Sequence, residues 1–276
     1  RQTVGSGTTI DLNNGNIINL LHIGDATVSF ANTTTAADVS IIRPLDLSSE
    51  FFTSGAVFFD GDGDYLSLSD SDLAPGAGAF TIECWVKPDS THTGSNNRRI
   101  LRNGDNNATG SFSLIWNSSS LEVTVNYNDT TLFGSNTVQA ITRNQWTHIA
   151  FVREGTGSNQ TKLYLNGVKV REGTLTQDLS LYAWQIGTDS TLNATNFSFN
   201  GSISNVRVVV GTAVYTDNFT PPTSALTNVT NTELLCCQSD SSTTAKAVGP
   251  TITANGTPSA SSVSVYPSLS STLTWP

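Results

Sequence analysis

Asn166-Gly167, set between Leu163-Tyr164-Leu165 and Val168-Lys169-Val170, restricts the fold of this chain more than any other stretch. A two-residue Asn-Gly loop favours a type I′ turn, whose twist suits two antiparallel strands. The turn predicts Leu165 opposite Val168, Tyr164 opposite Lys169 and Leu163 opposite Val170. Leu163, Leu165, Val168 and Val170 would then share one apolar face, with Tyr164 and Lys169 on the other. The pattern is that of a half-buried antiparallel hairpin.

Other stretches repeat the period of two. Leu121, Val123, Val125 and Tyr127 alternate with Glu122, Thr124 and Asn126, which are expected to point outward. In Phe80 to Val86, the residues Phe80, Ile82, Cys84 and Val86 form one face, and Trp85 stands beside Glu83 on the other. Trp146 to Arg153 is largely apolar on both faces, with Trp146, Ala150 and Val152 on one and Ile149 and Phe151 on the other. Strands apolar on both sides lie centrally and are covered. No stretch combines a 3.6-residue period with caps, so the fold is expected to be nearly all β.

The texture changes twice along the chain. Residues 1–50 alternate only weakly and are expected as an N-terminal β module or assembly arm that leans on the next domain or on another copy of the chain. Residues 51–222 form the main sandwich. Residues 223–276 contain one further strand, Glu233 to Gln238, and then a Ser/Thr-rich stretch that reads as a linker or as an extended C-terminal arm packing on the domain or on a neighbour. The chain begins at Arg1 and contains no Met, which suggests a processed product or a piece of a longer polypeptide. No apolar run reaches the roughly 20 residues of a membrane-spanning helix, so no membrane insertion is expected.

Charge narrows the function classes. The net charge is −9 with only 13 basic residues, too few for the cationic field a nucleic-acid binder needs. Arg98, Arg99 and Arg102 are the nearest approach to a basic cluster, and their Asn-rich surroundings suggest a solvated loop. Cys84, Cys236 and Cys237 read as free thiols, since side chains of adjacent strand residues point to opposite faces. The histidines His22, His92 and His148 show no metal-ligand or relay spacing. His148 alternates with Trp146 and Ala150 and reads as a structural histidine.

Asp60, Asp62 and Asp64, separated by Gly61 and Gly63, invite a calcium reading, because carboxylates at alternate positions can converge on a hard cation. Tyr65 occupies the position where an EF-hand loop needs glycine, and Ser71 the position of its bidentate glutamate. An Asp/Gly turn joining two strands accounts for the same residues. No cofactor is required by anything else in the sequence, and calcium is the one cation it suggests.

Five segments carry a family resemblance: Phe58 to Leu66, Phe80 to Pro88, Trp146 to Arg153, Leu163 to Val170 and Phe199 to Arg207. With Ile186-Gly187, Thr212 to Tyr215 and Phe219 to Pro222, their order resembles the laminin-G-like group of the concanavalin A-like lectin/glucanase superfamily over about residues 55–225. The resemblance implies a jelly-roll sandwich of two antiparallel sheets. Leu234 to Ser239 followed by Thr253 to Gly256, and Gly24 to Asn32, are similar to flanking segments in tail-fibre and other structural proteins of marine phages, particularly those of cyanobacteria.

Glycosidases of that superfamily set two glutamates on one strand as nucleophile and acid. The six glutamates here, Glu50, Glu83, Glu122, Glu154, Glu172 and Glu233, form no such pair, and Trp85 and Lys87 follow Glu83 where a second carboxylate would stand. The expectation is a non-catalytic structural or decorating subunit of a phage virion, at a virion or extracellular surface and contributing to host adhesion. Its arms would bind other copies of itself or other virion proteins. Two alternatives stand beside it: a lectin-like carbohydrate-binding module, and a cellular surface filament built by strand addition. For binding of host-surface glycans, Trp116, Tyr127, Tyr182 and Trp184 are the candidate stacking residues, with core or rim positions as their plainer reading.

Overall fold

The computed structural model describes residues 9–11, 29–31, 52–91, 97–104, 108–128, 130–133, 140–188 and 197–265. The chain divides into two compact units, Arg1–Ser49 and Glu50–Pro276. In the first, β1 (Thr9–Asp11) pairs in parallel with β2 (Ser29–Ala31). The rest of the expected N-terminal β module or assembly arm lies outside the described residues.

The second unit is a sandwich of two sheets. One runs in the order β12 (Val168–Gly173), β11 (Thr161–Leu165), β10 (Thr147–Arg153), β5 (Phe80–Pro88), β14 (Asn200–Val210), β15 (Thr232–Cys236) and β16 (Lys246–Val248). In this sheet, β3 (Phe52–Asp60) pairs with the first half of β14 and carries β18 (Ser259–Val265) on its other side, which makes nine strands. The second sheet has seven: β17 (Thr253–Asn255), β4 (Tyr65–Ser69), β13 (Ala183–Ile186), β6 (Asn97–Asn103), β7 (Phe112–Asn117), β8 (Val123–Tyr127) and β9 (Thr130–Phe133). The strand pairs within both sheets are antiparallel, as expected for a jelly roll.

The core lies where the period of two places it. Phe80, Ile82, Cys84 and Val86 of β5 meet Ile149 and Phe151 of β10 and Leu163 and Leu165 of β11, and the other sheet contributes Leu66, Leu114, Trp116, Val125 and Trp184. The opposite face of β5 and β10 is also covered. Residues 211–231, a strap between β14 and β15, bring Ala213, Tyr215 and Phe219 over Ala150, Val152 and Tyr164. Ala225 packs with Trp85 and Trp146 in a second patch. This cover explains why both strands are apolar on two sides.

The hairpin agrees with its turn and departs one pair later. Asn166 and Gly167 have φ of 47° and 75°, as a type I′ turn requires. Leu165 faces Val168 and Tyr164 faces Lys169, but a bulge then sets Leu163 against Arg171 instead of Val170. Val170 lies in the core, as the alternation expects, whereas Val168 is 43% exposed at the sheet edge. Gly167 also receives the strap: its carbonyl accepts the Phe219 N–H at 2.9 Å. A Cβ on Gly167 would lie 1.8 Å from the Phe219 carbonyl oxygen. Gly167→Ala is therefore expected to cost about 2 kcal/mol from the left-handed backbone, and to speed hydrogen exchange at Phe219. Unchanged exchange there would contradict the docking role of the turn.

One expectation is corrected. Arg98, Arg99 and Arg102 do not sit in a solvated loop; all three are buried in β6. A bulge between Arg99 and Leu101 breaks the alternation and sends both Ile100 and Leu101 inward. The described part of the C-terminal segment packs on its own sandwich, one of the two places expected for it. After β15 and β16 it crosses to edge the other sheet as β17, then returns to the first sheet as β18.

Candidate functional site

The seven-stranded sheet turns a polar face away from the core. Its register aligns one residue from each strand: Thr253, Ser67, Gln185, Arg102, Ser113, Asn126 and Thr131 are successive cross-strand partners. At the usual strand spacing the row spans roughly 29 Å. Arg102 and Ser113 in its middle are buried, and Thr253 and Thr131 at its ends are exposed. The alternate residues of the same strands, such as Leu66, Leu114 and Val125, belong to the core, so the polar row follows from register alone.

Near the β17 end the face opens into a cleft of about 400 Å³. Ser67, Ser69, Gly104, Ala183, Gln185, Thr251 and Thr253 line it, along with Leu68 and Trp184. None of these side chains is ionisable. The lining offers hydroxyls that both donate and accept, and one amide with both functions. Asn255 Nδ2 donates to Ser67 Oγ at 3.1 Å and fixes that hydroxyl at the rim. Such a site can hold an uncharged, hydroxyl-rich ligand through hydrogen bonds without burying an ion.

The four aromatic candidates separate. Trp116 and Trp184 are core residues, edge-on to Phe199 and Phe112 respectively, and cannot present a ring to a ligand. Tyr127 is half-buried and packs against the core. Tyr182 is 49% exposed and directly precedes Ala183 of the cleft. Among the described residues it is the only aromatic side chain more than a third exposed.

The aspartates form a clamp within the chain. Asp60 Oδ1 accepts the Asp62 N–H at 2.7 Å, which closes the turn. Asp64 is 2% exposed, and its carboxylate accepts the N–H of Thr257 at 2.6 Å and of Asp60 at 3.2 Å. Thr257 sits in the connection between β17 and β18, so Asp64 ties the connection between β3 and β4 to the one between β17 and β18. Among the described residues no three His, Cys, Asp or Glu side chains form a group that could hold a metal ion.

The chemically richest cluster lies on the other sheet, beneath the strap. Glu83 Oε1 accepts Arg207 Nε at 2.8 Å and Nη2 at 2.6 Å. Its Oε2 accepts the Tyr215 hydroxyl at 2.9 Å and lies 3.0 Å from His148 Nε2. Arg207 Nη1 donates onward to the Thr227 carbonyl at 2.9 Å. Burial pushes the Glu83 carboxyl up, but His148 and Arg207 outweigh it and hold the group below the usual carboxylate range. Burial, and then the Glu83 charge, push the Tyr215 hydroxyl well above its usual value. His148 is structural, as its alternation suggests. An acid on a strand apolar on both faces had to find a cation, but nothing in the sequence pointed to Arg207. Enclosed and fully hydrogen-bonded, Glu83 stabilises the fold and cannot reach a sugar.

Comparison with known proteins agrees with this architecture. A laminin G family model, described as concanavalin A-like lectin/glucanases superfamily, matches residues 60–213. No curated protein matches the sequence. A Bacteroides ovatus protein provisionally described as carbohydrate binding superposes with a TM-score of 0.53 at 16% identity. That match covers 77% of this chain and 60% of the other. The heptameric SAP-like pentraxin of Limulus polyphemus gives 0.49 at 15% identity, over 79% of this chain and 97% of the pentraxin. Domain 4 of a GH43 extracellular arabinanase from Geobacillus stearothermophilus, solved with arabinotriose, gives 0.42 at 22% identity, over 55% and 69%. With more than half of its length matched by the family model and the two-sheet sandwich in place, the chain belongs to the concanavalin A-like lectin/glucanases superfamily.

Proposed function

We propose that this chain is a non-catalytic carbohydrate-binding module that takes an uncharged glycan on the outer face of its seven-stranded sheet, at the cleft between β17, β4 and β13. The uncharged, hydroxyl-lined cleft carries this reading. The outer face of the nine-stranded sheet is covered by the strap, and its one central carboxylate is locked to Arg207. Tyr182, at the rim in sequence, supplies an aromatic surface on which a pyranose ring can stack. Calcium plays no part in this reading.

A glycan array followed by calorimetry tests it. Ala183→Arg, on an exposed position of the cleft, is expected to reduce binding of any array hit more than tenfold while leaving Tm unchanged. Tyr182→Ala should weaken it by about 1 kcal/mol. An array blank for neutral glycans, or hits indifferent to Ala183→Arg, would sink the proposal.

A second reading concerns the setting of the module. The segments Leu234 to Ser239 and Thr253 to Gly256, similar to those of phage structural proteins, support a decorating or tail-fibre subunit on a virion surface. Glycan binding would then serve adhesion to a host surface. Mass spectrometry of purified particles tests this, and absence of the chain from every particle would remove it.

A further inference from the structure

A sheet edge is a row of unpaired backbone groups, and proteins normally blunt it with charge, proline, bulges or shortness. Four of the five terminal strands of this sandwich are blunted. β12 carries Lys169, Arg171 and Glu172 and a bulge. β16 and β17 have three residues each, and β9 has four with a register shift. β18 is different. Its sequence, Ser259-Ala260-Ser261-Ser262-Val263-Ser264-Val265, pairs with β3 over seven residues without a shift. It contains no charge, proline or glycine, and among the described residues its other side pairs with nothing.

The free groups on that side can be assigned. Gly55 of β3 sends its N–H to the Gln238 carbonyl at 3.0 Å and accepts Ser204 Oγ at 2.6 Å, both away from β18. Its partner Ser262 therefore belongs to a non-hydrogen-bonded pair and turns its own N–H and C=O outward. Ala260 and Ser264, two residues on either side, do the same. Val263 and Val265 pack with Phe52, Trp85 and Trp146, which holds the strand firmly in place.

We propose that β18 is an assembly edge, at which a second copy of this chain pairs its own β18 antiparallel about a two-fold axis through Ser262. In that register Ser262 meets Ser262 and Ala260 meets Ser264, so the outward N–H and C=O groups bond in reciprocal pairs. The facing side chains are small and let the backbones approach. Charge favours this edge over others: the chain carries −9 overall, yet no charged residue follows Lys246. Two copies meeting elsewhere face like charge, and here they do not. A two-fold contact uses the edge completely, so assembly stops at a dimer and does not grow into a fibre. The inference does not depend on the glycan reading.

Sedimentation velocity over a concentration series tests it, with Ser262→Pro and Ser262→Lys as variants. Proline removes an outward N–H without removing a bond to β3, and lysine places charge on the edge. The wild type is expected as a dimer and both variants as folded monomers, with a Tm that rises with concentration in the wild type alone. Amide exchange at Ala260, Ser262 and Ser264 should slow with rising wild-type concentration and stay fast in Ser262→Lys, a readout that survives even if the proline variant misfolds. A wild type monomeric up to its solubility limit, an assembly larger than a dimer, or a dimer that persists in Ser262→Lys overturns the proposal.

Discussion

Replacing Arg207 with methionine is expected to lower the stability of the sandwich by about 3–5 kcal/mol at neutral pH. The loss should appear as a lower urea midpoint with an unchanged slope. The large effect comes from what stays behind. Glu83 is wholly enclosed, and Arg207 supplies two of the hydrogen bonds to its Oε1. Without the guanidinium the carboxylate must remain buried with less compensation, or take up a proton.

The pH dependence separates this from a simple packing defect. In the wild type the Glu83 carboxyl lies below its ordinary value, so its contribution is present above that value, about 4.3, and is lost as the pH falls through the folded pKa. Arg207→Met leaves His148 alone to oppose burial, so the carboxyl rises from its wild-type position and the folded state takes up a proton at higher pH. The gap between the two proteins should therefore narrow from neutral pH towards about pH 4. A gap independent of pH would contradict the account. Glu83→Leu combined with Arg207→Met should recover much of the loss, because the ion goes with its partner.

Replacing Asp64 with alanine is the second large effect, about 2–4 kcal/mol, because two N–H groups lose their acceptor at a buried position. The damage should be local. Amide exchange is expected to rise first in β17 and β18, whose connection Asp64 holds through Thr257. Asp64→Asn, which keeps one carbonyl oxygen, should lose less. If the loop acts as a clamp, added calcium or chelator leaves the wild-type melting curve in place. A Tm that rises with calcium would restore the cation reading.

Features set by local chemistry were legible in the sequence. Asn166-Gly167 specified its turn, and the two-sided apolar pattern of β5 and β10 announced a sheet covered on both faces. Bulges were hidden, because one inserted residue costs little in sequence and shifts all that follows. Val168-Lys169-Val170-Arg171 reads equally well with or without one, and the bulge in β6 disguised a buried arginine strand as a loop. The C-terminal strands were missed for another reason. Thr253 to Asn255 and Ser259 to Val265 contain little apolar surface, and their order comes from backbone pairing to β4 and β3, which no local pattern reveals. The cleft was equally invisible, since Ser67, Gln185 and Thr253 meet only through the register of β17, β4 and β13.

The return of β18 to β3 governs the order in which this protein can be made. Phe52 pairs with Val265, so one of the first strands of the sandwich waits for one of the last to be synthesised. During translation β3 and β4 emerge early, and each lacks a neighbour until residues 253–265 leave the ribosome. Contacts this distant in sequence make folding slow. A nascent chain stalled before Ser259 would expose Phe52, Trp85 and Trp146 without the valines that complete their cluster. The timing of synthesis thus becomes part of the folding problem, and yield should depend more on holdase chaperones than the stability of the finished sandwich suggests.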